Sequence, residues 1–220
     1  MQRSEILIEK LQQRLKEELP GIRSWDRMAV KSKKGESIES ESLQKYSDWS
    51  SEEKLFAMKK AAVLIGLFQR EDDWYFALIK RPMHEKNHPG QIALPGGAME
   101  KNETLEETAL REAFEEVGII PNSVEIIGKL TPLPVPVSNY LISPFVGIID
   151  REPEWKINKY EVEELVILKL DDLINADKGY SEDWNLRGKQ VNVPIFKLMD
   201  KTIWGATATV LCELIDLIKK

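Results

Sequence analysis

Side chains that make disulfides or bind soft metals are scarce: the 220 residues hold one cysteine, Cys212, and two histidines, His84 and His88. A lone cysteine closes no intrachain disulfide and builds no multi-cysteine zinc site, so a reducing compartment is expected. Long apolar runs are also missing. The longest, Ala61 to Phe68, falls well short of the ~20 residues that a bilayer-spanning helix needs, and no membrane association is expected. Nor is there an excess of positive charge. The 31 Lys+Arg and 37 Asp+Glu leave a net −6 and a pI of about 5.2, so no broad basic surface remains to neutralise nucleic-acid phosphates. Lys31, Lys33 and Lys34 make one short basic cluster, read as solvated linker. The opening MQRSEILIEKLQQRLKEEL has early acidic residues and no apolar core, unlike a signal peptide or presequence. A soluble cytoplasmic protein is the expectation.

What is present is an ordinary globular balance, 42% hydrophobic and 31% charged. Ile6, Leu7, Leu11 and Leu15 lie at helical spacing and predict an N-terminal amphipathic helix, which must bury its stripe on the main domain or on a second copy. The stripe favours a homodimer. From Val30 to Ser51 the chain is polar and Ser/Glu/Lys-rich, a linker partly docked through Trp25, Tyr46 and Trp49. The pattern divides the chain into a helical extension with linker, residues 1–57, and a main domain, residues 58–220. Ala61–Phe68 and Trp74–Lys80 predict a hairpin, with further strands at Val124–Leu130, Tyr140–Ile149 and Val162–Leu168. Leu133 to Ser138 has too many prolines for a central strand. Arg187-Gly188-Lys189 suits a late turn, and Ala206–Ile218 a closing helix. Strands before and between a few helices imply an α+β or α/β sandwich.

Thr104 to Val117 predicts a helix whose apolar side is Leu105, Ala109, Leu110, Ala113, Phe114 and Val117, ended by Gly118. On it Glu112, Glu115 and Glu116 fall within an arc of roughly 100°. Like charges so placed repel, by tenths of a kcal/mol per pair in water and by more where the dielectric is low. A solvated acidic face tolerates this; a divalent cation among the carboxylates would relieve it. Hard oxygen ligands suit Mg²⁺ or Mn²⁺, and such sites commonly take substrate phosphate oxygens.

Gly97, Glu103, Arg111, Glu112, Glu115, Glu116, Gly118 and Ile119 together match the Nudix box in spacing and type. Only Ala113, smaller than usual at the first apolar position, departs from it. The chain therefore resembles a Nudix hydrolase from about Lys59 onward. The resemblance implies an α/β/α sandwich around a mixed sheet, with Glu112, Glu115 and Glu116 as ligands of Mg²⁺ or Mn²⁺. Arg111 and Glu103 would orient them, Gly96 would contribute to the metal site and Gly97 to substrate binding. A glutamate of the helix, or one of Glu161, Glu163 and Glu164 downstream, would act as base. Upstream, the stretch from Leu78 to Gly97 resembles the extra motif of the coenzyme A pyrophosphatases. Arg81, Gly90, Pro95, Gly96 and Gly97 keep its spacing; Ile79, Pro82, Lys86 and Leu94 depart from it. Ser143–Ile149 and Ile203–Ala208 resemble the same subfamily.

The substrate implied is CoA or acyl-CoA, cleaved to 3′,5′-ADP and 4′-phosphopantetheine, with Arg81, Lys86 and Gln91 binding it. Lysine at position 86 keeps charge but loses bidentate phosphate recognition. His84 and His88 hold no motif position and read as solvated loop residues. Other readings are a Nudix enzyme for another nucleoside diphosphate derivative, such as ADP-ribose, and a non-catalytic nucleotide sensor.

Overall fold

The structure is a computed structural model that describes residues 2–32, 52–85, 88–176, 180–186 and 188–220. Lys33, Lys34, Tyr46, Trp49, Lys86 and Arg187, which figure in the expectations above, lie outside the described residues. The chain begins with helix α1 (Gln2–Arg14), the single turn α2 (Ile22–Trp25), strand β1 (Lys31–Ser32) and helix α3 (Glu52–Ala57). Strands β2 (Lys59–Arg70) and β3 (Asp73–Lys80) follow as a hairpin, then β4 (Ile92–Ala93) and β5 (Gly96–Ala98). After helix α4 (Leu105–Val117) come β6 (Val124–Lys129), β7 (Leu133–Val135), β8 (Tyr140–Ile149) and β9 (Glu164–Lys169). Helix α5 (Leu170–Ala176), the hairpin of β10 (Tyr180–Leu186) and β11 (Lys189–Leu198), strand β12 (Lys201–Ile203) and helix α6 (Gly205–Lys219) complete it.

The main sheet is mixed and split. β2 runs parallel to β8 along Lys59–Leu67, and β8 pairs antiparallel with β6 and β7. On its other edge β2 pairs with β3 only between Leu67 and Arg70; β3 then continues with β9 and β4. β5 takes the vacated edge of β2 at Ala61–Val63. Residues 92–95 thus bridge the two diverging strands, with β4 paired to β3 and Leu64 N of β2 donating to Pro95 O at 2.9 Å.

Strand alternation sends β2 side chains to two cores. Ala62, Leu64 and Phe68 pack beneath α4 with Ala109, Ala113 and Val117, while Ile65 and Leu67 pack against α6. Helices cover both faces, which is the expected sandwich. Phe114 corrects the sequence reading: it is 50% exposed, because it lies 100° round the helix from Ala113, outside the arc that meets the sheet.

Of the expected stripe, Leu11 and Leu15 are buried with Ile8 against Leu211, Leu214 and Ile215 of α6 in the same chain and Leu7 packs at the edge, while Ile6 is 46% exposed. Most of the apolar face on which a homodimer was expected thus packs within the molecule. A buried carboxylate fastens this arrangement: Glu213 accepts from Gly21 N at 3.0 Å, Trp25 Nε1 at 3.3 Å and Thr131 Oγ1 at 2.6 Å. A second sheet, β1-β11-β10 with β12 on β11, was not foreseen beyond its hairpin. β1 joins Lys31 to Asn192, a pairing that no local pattern announces.

Candidate active site

Helix α4 is built to hold its carboxylates still. Thr104 caps it, with Glu107 N donating to Thr104 Oγ1 at 3.2 Å and Thr104 N donating to Glu107 Oε2 at 2.7 Å, a reciprocal capping box. Gly118 ends it in the left-handed conformation at φ 83, where a side chain would be strained. Between these ends the three glutamates cross the helix from core to solvent. Glu116 is 4% exposed, while the side chains of Glu112 and Glu115 are 16% and 48% exposed.

That gradient orders their electrostatics. Burial pushes the Glu116 carboxyl up to about 8; the Gly96 N–H, 2.9 Å away, and Arg81 oppose the shift, while Glu112 and Glu161 add to it. Burial likewise raises Glu112, against the pull of Arg111. A buried carboxyl with so little compensation holds either a proton or a cation. This fits a hard divalent ion, and so does the donor chemistry of Glu112, Glu115 and Glu116. Among the described residues no three carboxylates converge on one point as a finished cage. The guanidinium of Arg111 explains the spread, because it lies between Glu112 and Glu115, at 3.0 and 2.9 Å.

Arg111 is the hub. Besides those two glutamates it grips Glu103 through Nε at 3.0 Å and Nη2 at 2.9 Å, and reaches Ala98 O at 3.2 Å. Glu103 also accepts from Glu100 N and Thr108 Oγ1, and Arg111, the largest influence, helps to hold its carboxyl down to about 2. The loop before the helix is thereby bolted to the helix. The adjacent glycines are required by close approach: a Cβ on Gly96 would stand 2.3 Å from Ala62 O, and one on Gly97 would stand 2.4 Å from Glu112 Oε1.

Of the downstream acids, the structure singles out Glu161. Asn158 N donates to Glu116 O at 3.0 Å, and Glu161 N and Val162 N return to Asn158 O, strapping this segment over the C-terminal end of α4. Glu161 then acts on both Glu112 and Glu116. Glu163 is engaged by Lys80 at 2.6 Å, and Glu164 by Lys201 at 2.8 Å. Only Glu164 belongs to β9, and Glu161 lies in the turn before it.

The upstream loop is closed at its stem by Arg81 N to Gln91 O, 2.9 Å, and Gly90 N to Arg81 O, 3.0 Å. Arg81 forms an ion pair with Glu85 and contributes to the field at Glu116. The Gln91 side chain stays within the loop, 3.1 Å from His88 Nδ1. His84 meets the ring of Tyr160, so the loop and the Glu161 segment touch. The expected residues thus form two groups, Glu103-Arg111-Glu112-Glu115 and Arg81-Gly96-Glu116, with Gln91 apart from both. That Glu161, rather than Glu163 or Glu164, acts on the field at Glu112 and Glu116 was not readable from spacing.

A model of the NUDIX domain matches residues 58–187. An uncharacterized Nudix hydrolase NudL of Enterobacter sp. (strain 638) is 37% identical over 157 residues, covering 71% of this chain and 81% of that protein. Its namesake from Salmonella dublin is 35% identical over 162 residues, covering 73% and 83%. Among solved structures, a MutT/nudix family protein from Enterococcus faecalis shares the fold at a TM-score of 0.51 and 18% identity, covering 82% of this chain and 70% of that one.

Proposed function

The chain belongs to the Nudix family, and on that premise we propose that it hydrolyses the pyrophosphate of CoA or acyl-CoA to 3′,5′-ADP and the 4′-phosphopantetheine part. The observation that supports this reading is the loop stem at Arg81, a guanidinium paired with Glu85 whose charge is felt at Glu116, the most buried glutamate of α4.

Glu112, Glu115 and Glu116 are the residues to hold Mg²⁺ or Mn²⁺, with the loop backbone at Gly96 beside them. When bound, the ion neutralises pyrophosphate charge and lowers the pKa of water. Arg111 fixes the rotamers of Glu112 and Glu115 through Nη1, and Glu103 fixes Arg111 through the two-pronged pair with Nε and Nη2. Glu161, whose charge acts on both Glu112 and Glu116 from a separate turn, is the residue we assign to take a proton from the attacking water. Gly97 leaves room for the Glu112 carboxylate, and Arg81 exchanges Glu85 for a substrate phosphate. Lys86, which follows Arg81 closely in the sequence, is the residue we assign to supply a second positive charge.

Turnover of CoA, dephospho-CoA and ADP-ribose by the purified protein with Mg²⁺ tests the proposal. CoA should be preferred, and Arg81→Ala should cost roughly ten- to a hundredfold in kcat/KM for CoA, and less for dephospho-CoA, which lacks the 3′-phosphate. Good turnover of ADP-ribose with none of CoA would refute the substrate and leave the family chemistry in place.

A further inference from the structure

Where the substrate loop returns into β4, it faces the small sheet across a cavity of about 580 Å³ lined by Lys80, Gln91, Trp184, Asp200, Lys201 and Trp204. Lys80 and Arg81 are successive residues, so one stem serves both places: Lys80 at the cavity, Arg81 in the field of Glu116.

The chemistry of the walls selects the guest. Both ammonium groups are already paired, Lys80 with Glu163 at 2.6 Å and Lys201 with Glu164 at 2.8 Å and Asp200 at 3.1 Å. A phosphate entering here would meet more carboxylate than free cation. The aromatic walls suit a different group. The rings of Trp184 and Trp204 lie 5.0 Å apart at 82°, forming a corner, and both are half-buried. Trp184 Nε1 donates to Glu182 at 2.9 Å, so what Trp184 offers is its ring. A planar heterocycle laid on one indole meets the other edge-on, and both arrangements are favourable between aromatic rings. Gln91, whose Oε1 lies 3.1 Å from His88 Nδ1, and Asp200, paired with Lys201, complete the polar part of the wall.

We propose that this corner is a nucleobase subsite, which takes the neutral planar base of the substrate's nucleotide half while the Arg81 end of the same loop takes phosphate. The inference rests on reading the protein as a hydrolase of nucleoside diphosphate derivatives. It gives the small sheet a part in recognition, because one tryptophan within β10 and another just after β12 read the base, away from the helix that cuts the pyrophosphate.

The test is binding without turnover. Adenosine titrated into the metal-free, full-length protein should quench tryptophan emission saturably, and pantetheine, which has no planar ring, should not. Leucine at either tryptophan keeps apolar bulk but loses the stacking face, so Trp184→Leu and Trp204→Leu should weaken adenosine binding about tenfold. They should raise KM for CoA similarly with kcat nearly unchanged, whereas Trp204→Phe should retain most of the affinity. Equal effects of Phe and Leu at position 204 would mean that the ring only packs, and would overturn the proposal. So would quenching by pantetheine alone, or no response to adenosine in the unaltered protein, which needs no variant to fold. Adenosine binding at this corner without CoA cleavage would sink the CoA reading and keep the subsite; CoA turnover with no adenosine response would do the reverse.

Discussion

Glu116 shows how one position on a helix sets a chemistry. It lies 60° from Ala113, at the rim of the arc that meets the sheet, and so is buried with little but a backbone N–H for company. Glutamine there keeps size and removes charge. Glu116→Gln, and likewise Glu115→Gln, should lower turnover at least ~10²-fold with an unchanged circular dichroism spectrum; full activity under limiting Mg²⁺ would show that the side chain is no ligand. Glu103 offers the pH test. Its folded pKa, about 2, lies below the ordinary carboxyl value, so its contribution to stability is present above about pH 4.5 and disappears as pH falls toward 2. Glu103→Gln should therefore lower Tm at pH 7, and the gap from the unaltered protein should narrow through that acidic window; a gap independent of pH would mean that the ion pair with Arg111 does not stabilise the fold.

At the scale of the element, α4 is a short helix carrying repelling charges, and its ends do much of the holding. Thr104→Ala removes the capping box, and loss of a side-chain cap costs about 1 kcal/mol. In a chain of this length that is a Tm lower by about 2–4 °C, readable by calorimetry. Activity should fall less than stability suggests, because Glu103, just outside the helix, still holds the first turn through Thr108 Oγ1 and the second through Arg111. A Tm unchanged within a degree would show that tertiary packing alone holds the first turn.

Across the whole molecule, Glu213 ties three distant segments together: the Gly21–Trp25 turn, the start of the β6–β7 connection at Thr131, and α6. Glu213→Ala strands their donors in a buried place, so it should cost at least about 2 kcal/mol in chemical denaturation. Amide exchange should speed up first around Gly21, and an unchanged midpoint would mean that water replaces the carboxylate. Removing residues 1–32 uncovers the face of α6 that Leu11 and Leu15 cover. The shortened protein should self-associate in light scattering, while the full chain should show no association through α1.

The glutamate-bearing helix α4 was legible because everything that defines it is local. A period of 3.6 residues groups Glu112, Glu115 and Glu116, Gly118 ends the helix, and the spacing back to Gly97 and Glu103 lies within one stretch of chain. The sandwich followed from the order of strands and helices along the chain and from the family resemblance. What sequence left open depended on contacts between distant segments. Glu161 stands out from Glu163 and Glu164 only because Asn158 straps its turn to α4 while Lys80 and Lys201 occupy the other two. The direction in which α1 buries its stripe, the second sheet and the satisfied carboxylate of Glu213 all arise the same way. Periodicity says that a face must be covered and that a charge must be compensated; which partner does so is settled by chain closure over a hundred residues or more, and no local pattern records it.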